Sequence, residues 1–233
     1  MNEQYSRSVM LMGEDAFRRL RSAKVAVCGI GGVGSYAAEG LARSGVGPLM
    51  LIDHDTVALS NCNRQLPALH STLGQSKAEV MKARIADIDP EITVEALPLF
   101  LTGETEASLF EGCDYIVDAV DNVTAKLRLA EISLLTGIPL IAAMGCGNKT
   151  DPSLLQITDL FKTETCPLCK VMRRECKARG IHRLTVIFSK EPPHRAMEGS
   201  TPASTVFVPA TAGLRMAAYV TDALTRNPKE VKA

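Results

Sequence analysis

The sequence predicts an α/β chain built on a Rossmann-like, mostly parallel, doubly wound sheet, with an elaborated C-terminal third containing additional strands. Two observations lead there. Short apolar runs and helical periodicity alternate five times over the first 145 residues, the pattern of successive βαβ units. The first apolar run passes directly into Gly29-Ile30-Gly31-Gly32-Val33-Gly34, a G-x-G-x-x-G that opens a helix. The 233 residues, 46% hydrophobic and 22% charged, suffice for a sizeable core and exclude a disordered tail protein.

The elements follow in order. Residues 14–21 form an amphipathic helix and 24–30 a buried strand. A helix then runs from Ser35 to near Gly45, where glycine stops it. Residues 48–53 give a second strand. Residues 75–89 form a helix with Ala78, Met81, Ile85 and Ile88 on one face and Pro90 as its stop. Strands are expected at 92–97, 113–120 and 138–145, with a helix at 122–136 before the last of them. Beyond Gly145 the pattern loosens. Strands at 154–160 and 184–188 flank a basic helix at 167–179, and 190–204, with its three prolines, reads as an exposed loop. Residues 204–209 read as a last strand and 210–224 as a closing helix. We expect one domain over 1–233, with 1–150 as the nucleotide-binding core and 151–233 as a substrate-side extension.

No apolar run reaches the ~18 residues a membrane span needs, and the first ten residues carry no export signal, so a cytoplasmic protein is expected. Seven scattered cysteines in such a chain suggest free thiols or a metal site rather than a disulfide framework. The net charge is zero, which excludes a uniformly basic nucleic-acid binder. The charge is uneven, however: from Lys162 to Arg195 nine Lys/Arg face three Asp/Glu, so a polyanion could approach one face.

The glycine motif carries the first chemistry. Gly29 permits a tight turn, Gly31 lets backbone amides approach phosphate oxygens, and Gly34 lets helix and strand pack closely. Asp53 ends the second strand, where an acid meets ribose hydroxyls. Asn61, Arg64, Gln65 and Lys77 follow, and their polarity suits a triphosphate better than a pyrophosphate bridge. Solvated surface charge is the alternative, for Lys77 above all. Asp121, just past the fourth strand, can ligate Mg²⁺ between phosphates or, with Asn122, cap the next helix.

Together VAVCGIGGVGS, LIDHDTVALSNCNRQ, the Gly74-Gln75-Ser76-Lys77 helix start and Val120-Asp121-Asn122 resemble the ubiquitin-activating-enzyme (ThiF-type) superfamily of adenylating enzymes. The resemblance spans roughly the first 150 residues. It implies ATP as cosubstrate, Asp53 on the ribose, Arg64 and Lys77 on the triphosphate, and Asp121 on Mg²⁺. It also implies that Arg7, in Tyr5-Ser6-Arg7, enters the ATP site of a neighbouring subunit in a homodimer. Taken by itself, Arg7 is an exposed charge near a frayed terminus. Such enzymes convert a carboxylate into an acyl-adenylate.

Within the superfamily the chain is similar to the tRNA threonylcarbamoyladenosine dehydratases. The marks are 163–174, Lys190-Glu191-Pro192, and the closing segment from Gly199-Ser200 through Val208-Pro209 to Gly213. Cys166 stands where that group's pattern has Asp. The resemblance implies ATP-dependent cyclisation of the threonyl carboxylate on a modified adenosine beside the tRNA anticodon. Lys170, Arg173, Arg174, Lys177, Arg179 and Arg183 would then meet RNA phosphates, rather than form a plain solvated face. Phe188 is the candidate for stacking on a base. A Na⁺ or K⁺ ion on backbone carbonyls and a sulfur-transfer partner are further expectations. The alternative is an adenylyltransferase acting on the C-terminal glycine of a ubiquitin-like sulfur carrier. Those enzymes usually carry a zinc on two C-x-x-C pairs, whereas here Cys166/Cys169 is the one pair. A Cys166/Cys169/Cys176/His182 site is irregular in spacing, so zinc is not expected. An adaptor without turnover would have no use for Arg64, Lys77 and Asp121. No cysteine is nominated as a nucleophile.

Overall fold

A computed structural model describes residues 3–194 and 202–226. Its centre is a seven-stranded sheet of β1 (Val25–Cys28), β2 (Leu49–Ile52), β3 (Val94–Leu97), β4 (Tyr115–Asp118), β5 (Leu140–Ala143), β6 (Leu155–Asp159) and β7 (Thr185–Ser189). The order is β3-β2-β1-β4-β5-β7-β6, and only the edge pair β6–β7 is antiparallel. Every residue of β1, β2, β4 and β5 is buried, which is why these strands read as continuous apolar runs.

Helices cover both faces. On one lie α2 (Glu14–Ser22), α3 (Gly34–Ser44), α4 (Lys77–Ile88) and α7 (Phe207–Thr225), around a core that includes Leu20, Leu41, Met81 and Met216. On the other lie α5 (Val123–Thr136) and α6 (Pro167–Ala178), around Phe110, Leu129, Met172 and Phe188. A short α1 (Ser6–Met12), absent from the sequence expectation, precedes α2. The edge strands β6 and β7 come from the C-terminal third and complete the same sheet as the nucleotide-binding half.

The segment 204–209 is not a strand. Helix α7 begins at Phe207 and takes Pro209 into its first turn, where the missing N–H is tolerated. The apolar spacing decides it: Val208, Ala212, Met216 and Val220 recur every four residues and all are fully buried. Val and Met side chains each gain roughly 1.5–3 kcal/mol by burial, more than local β propensity offers. Helices α3 and α7 also pack very closely, since a Cβ on Gly213 would lie 2.2 Å from the Val33 carbonyl oxygen.

Two further expectations change. Residues 195–201 of the 190–204 loop, with Gly199-Ser200, lie outside the described residues. Within the described part Glu191 is buried, accepting the Thr150 and Asp151 amides at 3.0 Å and contacting His194 Nε2 at 2.8 Å. Phe188 is 1% exposed in the core, so it offers no face to a base.

Candidate active site

The strand order reverses between β1 and β4, whose last residues Cys28 and Asp118 are register partners. A crevice opens outside the carboxyl ends of strands at such a point. Here it is a cavity of about 600 Å³, well within the usual size of a small-molecule site.

The glycine loop forms its floor. Gly29 has φ +85°, and a Cβ there would stand 2.7 Å from the Ala119 carbonyl oxygen, so only glycine fits between the β1 and β4 ends. Gly31 and Gly32 face the cavity. Gly34 does not: it seats α3 against the loop, where a Cβ would collide with the Gly29 oxygen at 1.7 Å. The α3 N-terminus supplies unpaired amides and a partial positive charge.

Asp53 lies at the carboxyl end of β2. Its two oxygens accept the Ile30 amide at 2.6 Å and the Asp55 amide at 2.8 Å, fixing the loop on both sides. Asn61, Arg64, Gln65 and Lys77 also line the cavity. Arg64 Nη1 donates to the Ser60 carbonyl and to Asn63 Oδ1, both at 2.9 Å. Gln65 Oε1 is buried without a hydrogen-bond partner among the described residues, an acceptor free for a ligand donor.

Lys77 departs from the solvated-surface alternative. It is the first residue of α4, behind the Ser76 cap, but its side chain is only 5% exposed. It donates to Asp55 Oδ2 at 2.7 Å. That hydrogen bond and the adjacent charge hold the Asp55 carboxyl below its usual range. Asp55 was not legible as a site residue, because an acid beside Asp53 and His54 reads as a solvated turn. Those three are the one group of potential ligands mutually within 4.8 Å among the described residues, and Lys77 already neutralises Asp55.

Asp121 and Asn122 stand at the opposite lip. The cap of α5 is Asn122, whose Oδ1 accepts the Thr124 amide at 2.8 Å and the Ala125 amide at 3.4 Å. Asp121 is exposed and its carboxylate has no partner among the described residues. A carboxylate left without a partner at the lip of this cavity suits Mg²⁺, which binds one or two carboxylates plus substrate phosphates. Leu99 and Phe100 form an apolar rim, with His54 edge-on to Phe100 at 4.5 Å between centroids. Gly145, Cys146, Gly147, Pro202, Ser204 and Pro209 close the C-terminal side. Burial pushes the Cys146 thiol up to about 12, so it is not a thiolate at neutral pH.

Other expected residues lie elsewhere. Arg7 is exposed on α1 and does not line its own chain's cleft. On and after α6, the side chains of Lys170, Lys177 and Arg183 are exposed and have no partner among the described residues. Arg174 is exposed and pairs with Glu175 at 2.8 Å. Arg179 pairs with Glu175 at 2.9 Å and Glu131 at 3.1 Å. Arg173 is half-buried and donates to the Thr163 carbonyl at 2.9 Å, so it serves the turn before α6 rather than the open face. Cys166, Cys169 and Cys176 are buried while His182 is exposed, and the four do not gather as a ligand set.

A sequence model of the ThiF family matches residues 5–233. The chain is 45% identical over 238 residues to the tRNA threonylcarbamoyladenosine dehydratase of Bacillus subtilis, covering 94% of each chain. It is 41% identical over 177 residues to the Escherichia coli enzyme of that name, covering 76% of this chain and 66% of that one. A crystal structure of the E. coli dehydratase TcdA in complex with ATP superposes with a TM-score of 0.89 at 34% identity, covering 95% of this chain and 93% of that one.

Proposed function

The chain belongs to the ThiF family, and from that premise we propose that it cyclises threonylcarbamoyladenosine in tRNA, using ATP and releasing AMP and pyrophosphate. The observation that carries this reading is the reach of the similarity. The match to the dehydratases extends past the nucleotide-binding half through β6, α6, β7 and α7, the part of the chain that would meet the substrate.

The chemistry follows from the cleft. The threonyl carboxylate is ionised at neutral pH, so no protein base is needed for it to attack the α-phosphate. The protein must align the two and hold the leaving pyrophosphate. Arg64 and Lys77 supply charge on one side, and the glycine-loop amides and α3 N-terminus supply it from the floor. Asp53 and Gln65 offer acceptors for ribose or base donors. Asp121 would hold Mg²⁺, which when bound neutralises phosphate charge. In the acyl-adenylate a nitrogen or oxygen of the same side chain attacks the activated carbonyl. The acyl C–O bond breaks, AMP leaves, and the net change in the nucleoside is loss of water. An expected Na⁺ or K⁺ would use backbone carbonyls; no side-chain set identifies it, and no step depends on it.

Lys170, Arg174, Lys177 and Arg183 form the exposed basic face proposed to meet RNA, with Arg179 at its margin in ion pairs. Arg7 is proposed to act in the cleft of a second copy, because its position on α1 leaves it outside its own. The two parts, 1–150 and 151–233, are proposed to work as one domain, which the shared sheet and the cavity-lining Pro202, Ser204 and Pro209 support. Among the described residues no helix is long and apolar enough to cross a membrane; a cytoplasmic site of action is part of the proposal. Cyclisation requires no sulfur-transfer partner, so that partner stays a candidate for affinity capture alone.

Pyrophosphate exchange and nucleoside mass analysis test the assignment. Modified tRNA should stimulate exchange and lose the mass of one water per AMP formed. Stimulation by a carrier protein ending in Gly-Gly, with tRNA inert, would overturn it.

A further inference from the structure

Asp118 closes β4 at the reversal of strand order, and Lys126 reaches back to it from the first turns of α5. Lys126 Nζ lies 3.0 Å from Asp118 Oδ1, with side-chain exposures of 1% and 0%. Oδ1 also accepts the Val120 amide at 3.1 Å, whereas Oδ2 has no partner among the described residues. Lys126 forms part of the cavity wall, close to Asp121 and Asn122.

Stability does not account for this pair. A buried ion pair can usually be replaced by uncharged side chains of similar volume without loss, and one with an orphaned oxygen is a poor stabiliser. What the pair touches is more telling. Strand end, turn, cap and helix close into a ring: Asp118 takes the Val120 amide, Asn122 caps α5, and Lys126 ties α5 back to Asp118. Ala119 in the same turn is pressed against Gly29. Asp121 stands at the tip of this ring, with nothing of its own to hold its carboxylate among the described residues.

We propose that Lys126 is a positioning residue: paired with Asp118, it clamps the 119–122 turn so that the Asp121 carboxylate meets the metal–nucleotide in one fixed place. The inference rests on the assignment of Asp121 to Mg²⁺–ATP. Lys126 acts through Asp118 and Asp121, its Nζ held on Asp118 Oδ1.

The test compares D118N/K126M with D121N in the full-length protein. The carboxamide oxygen introduced at position 118 can still accept the Val120 amide, so the double variant removes the charges and their tie while keeping that turn hydrogen bond. It should melt near the parent and bind ATP without Mg²⁺ as the parent does. Its kcat should fall, and the Mg²⁺ concentration for half-maximal turnover rise, each by about tenfold to a hundredfold, the scale for losing a partner that orients a metal ligand. Amides of 119–122 in the ligand-free variant should exchange with solvent about tenfold faster. If the double variant does not fold, K126Q is judged by the same criteria. Turnover and Mg²⁺ dependence within about twofold of the parent, whatever the exchange rates, would overturn the proposal if D121N loses both. If D121N keeps both, the assignment of Asp121 itself fails.

Discussion

Lys77→Ala separates what a residue does for folding from what it does for chemistry. The ion pair with Asp55 is short, but the Asp55 side chain is 51% exposed, so its loss removes about 1 kcal/mol or less. The Lys77 stem is buried, and deleting its methylenes next to an open cleft costs roughly another 1–2 kcal/mol. The total, roughly 2 kcal/mol, lowers the melting temperature by about 4–8 °C in a chain of this size. The chemical loss should be larger. A charge-assisted contact to the leaving phosphates that strengthens in the transition state is worth roughly 3–4 kcal/mol, or about a hundredfold to a thousandfold in turnover. Differential scanning calorimetry and AMP release measure the two. There is also a pH signature. The folded Asp55 carboxyl titrates below its ordinary value of 3.8, so the pair stabilises fully above that value and fades as pH falls through the lowered one. The melting gap between parent and variant should therefore narrow only in strong acid. Normal turnover with a large melting loss would refute the placement of Lys77 on the phosphates.

Other outcomes follow from the same geometry. Glu191, held down to about 2 by the Thr150 and Asp151 amides against the opposing effect of burial, stabilises fully above 4.5 and loses that contribution as pH falls towards 2; E191Q should flatten the acid limb of a melting-temperature profile across that window. G29A should lower both stability and ATP affinity, since φ +85° and a 2.7 Å backbone contact leave no room for a methyl, and calorimetry measures both. Mixing inactive R7A with inactive K77A should restore part of the activity through hybrid dimers; no recovery would place Arg7 outside the neighbouring cleft. K170E/K177E should weaken tRNA binding and reduce the slope of log affinity against log salt by about one to two, with the KM for ATP unchanged in steady-state assays.

Most of the fold was legible because the buried strands are continuous apolar runs and Gly29–Gly34 sits between a strand and a helix. Asn61, Arg64, Gln65 and Lys77 were legible as a polar series after Asp53, and all four line the cavity. The failures have a common physical cause. Residues 204–209 include Thr205, Val206 and Val208, which favour a strand locally, but the four-residue spacing from Val208 to Val220 draws 207–209 into α7, packed largely on α3. Lysine is normally exposed, so Lys77 gave no sign that its stem would be buried beside Asp55. The Asp118–Lys126 pair spans a strand end and a helix turn, so no sequence periodicity brings it together. Phe188 is a stacking candidate from its place near the loop alone; the sheet buries it, and Phe100, which the sequence does not single out, stands on the rim beside His54.

The account requires that a carboxylate of the substrate bond to the α-phosphorus of ATP. Modified tRNA labelled with heavy oxygen in the threonyl carboxylate puts this to a direct test by mass spectrometry of the nucleotide products. Each AMP should carry one labelled oxygen, and pyrophosphate none. Unlabelled AMP, or label in phosphate or pyrophosphate, would contradict adenylation and the arrangement of the cleft built upon it.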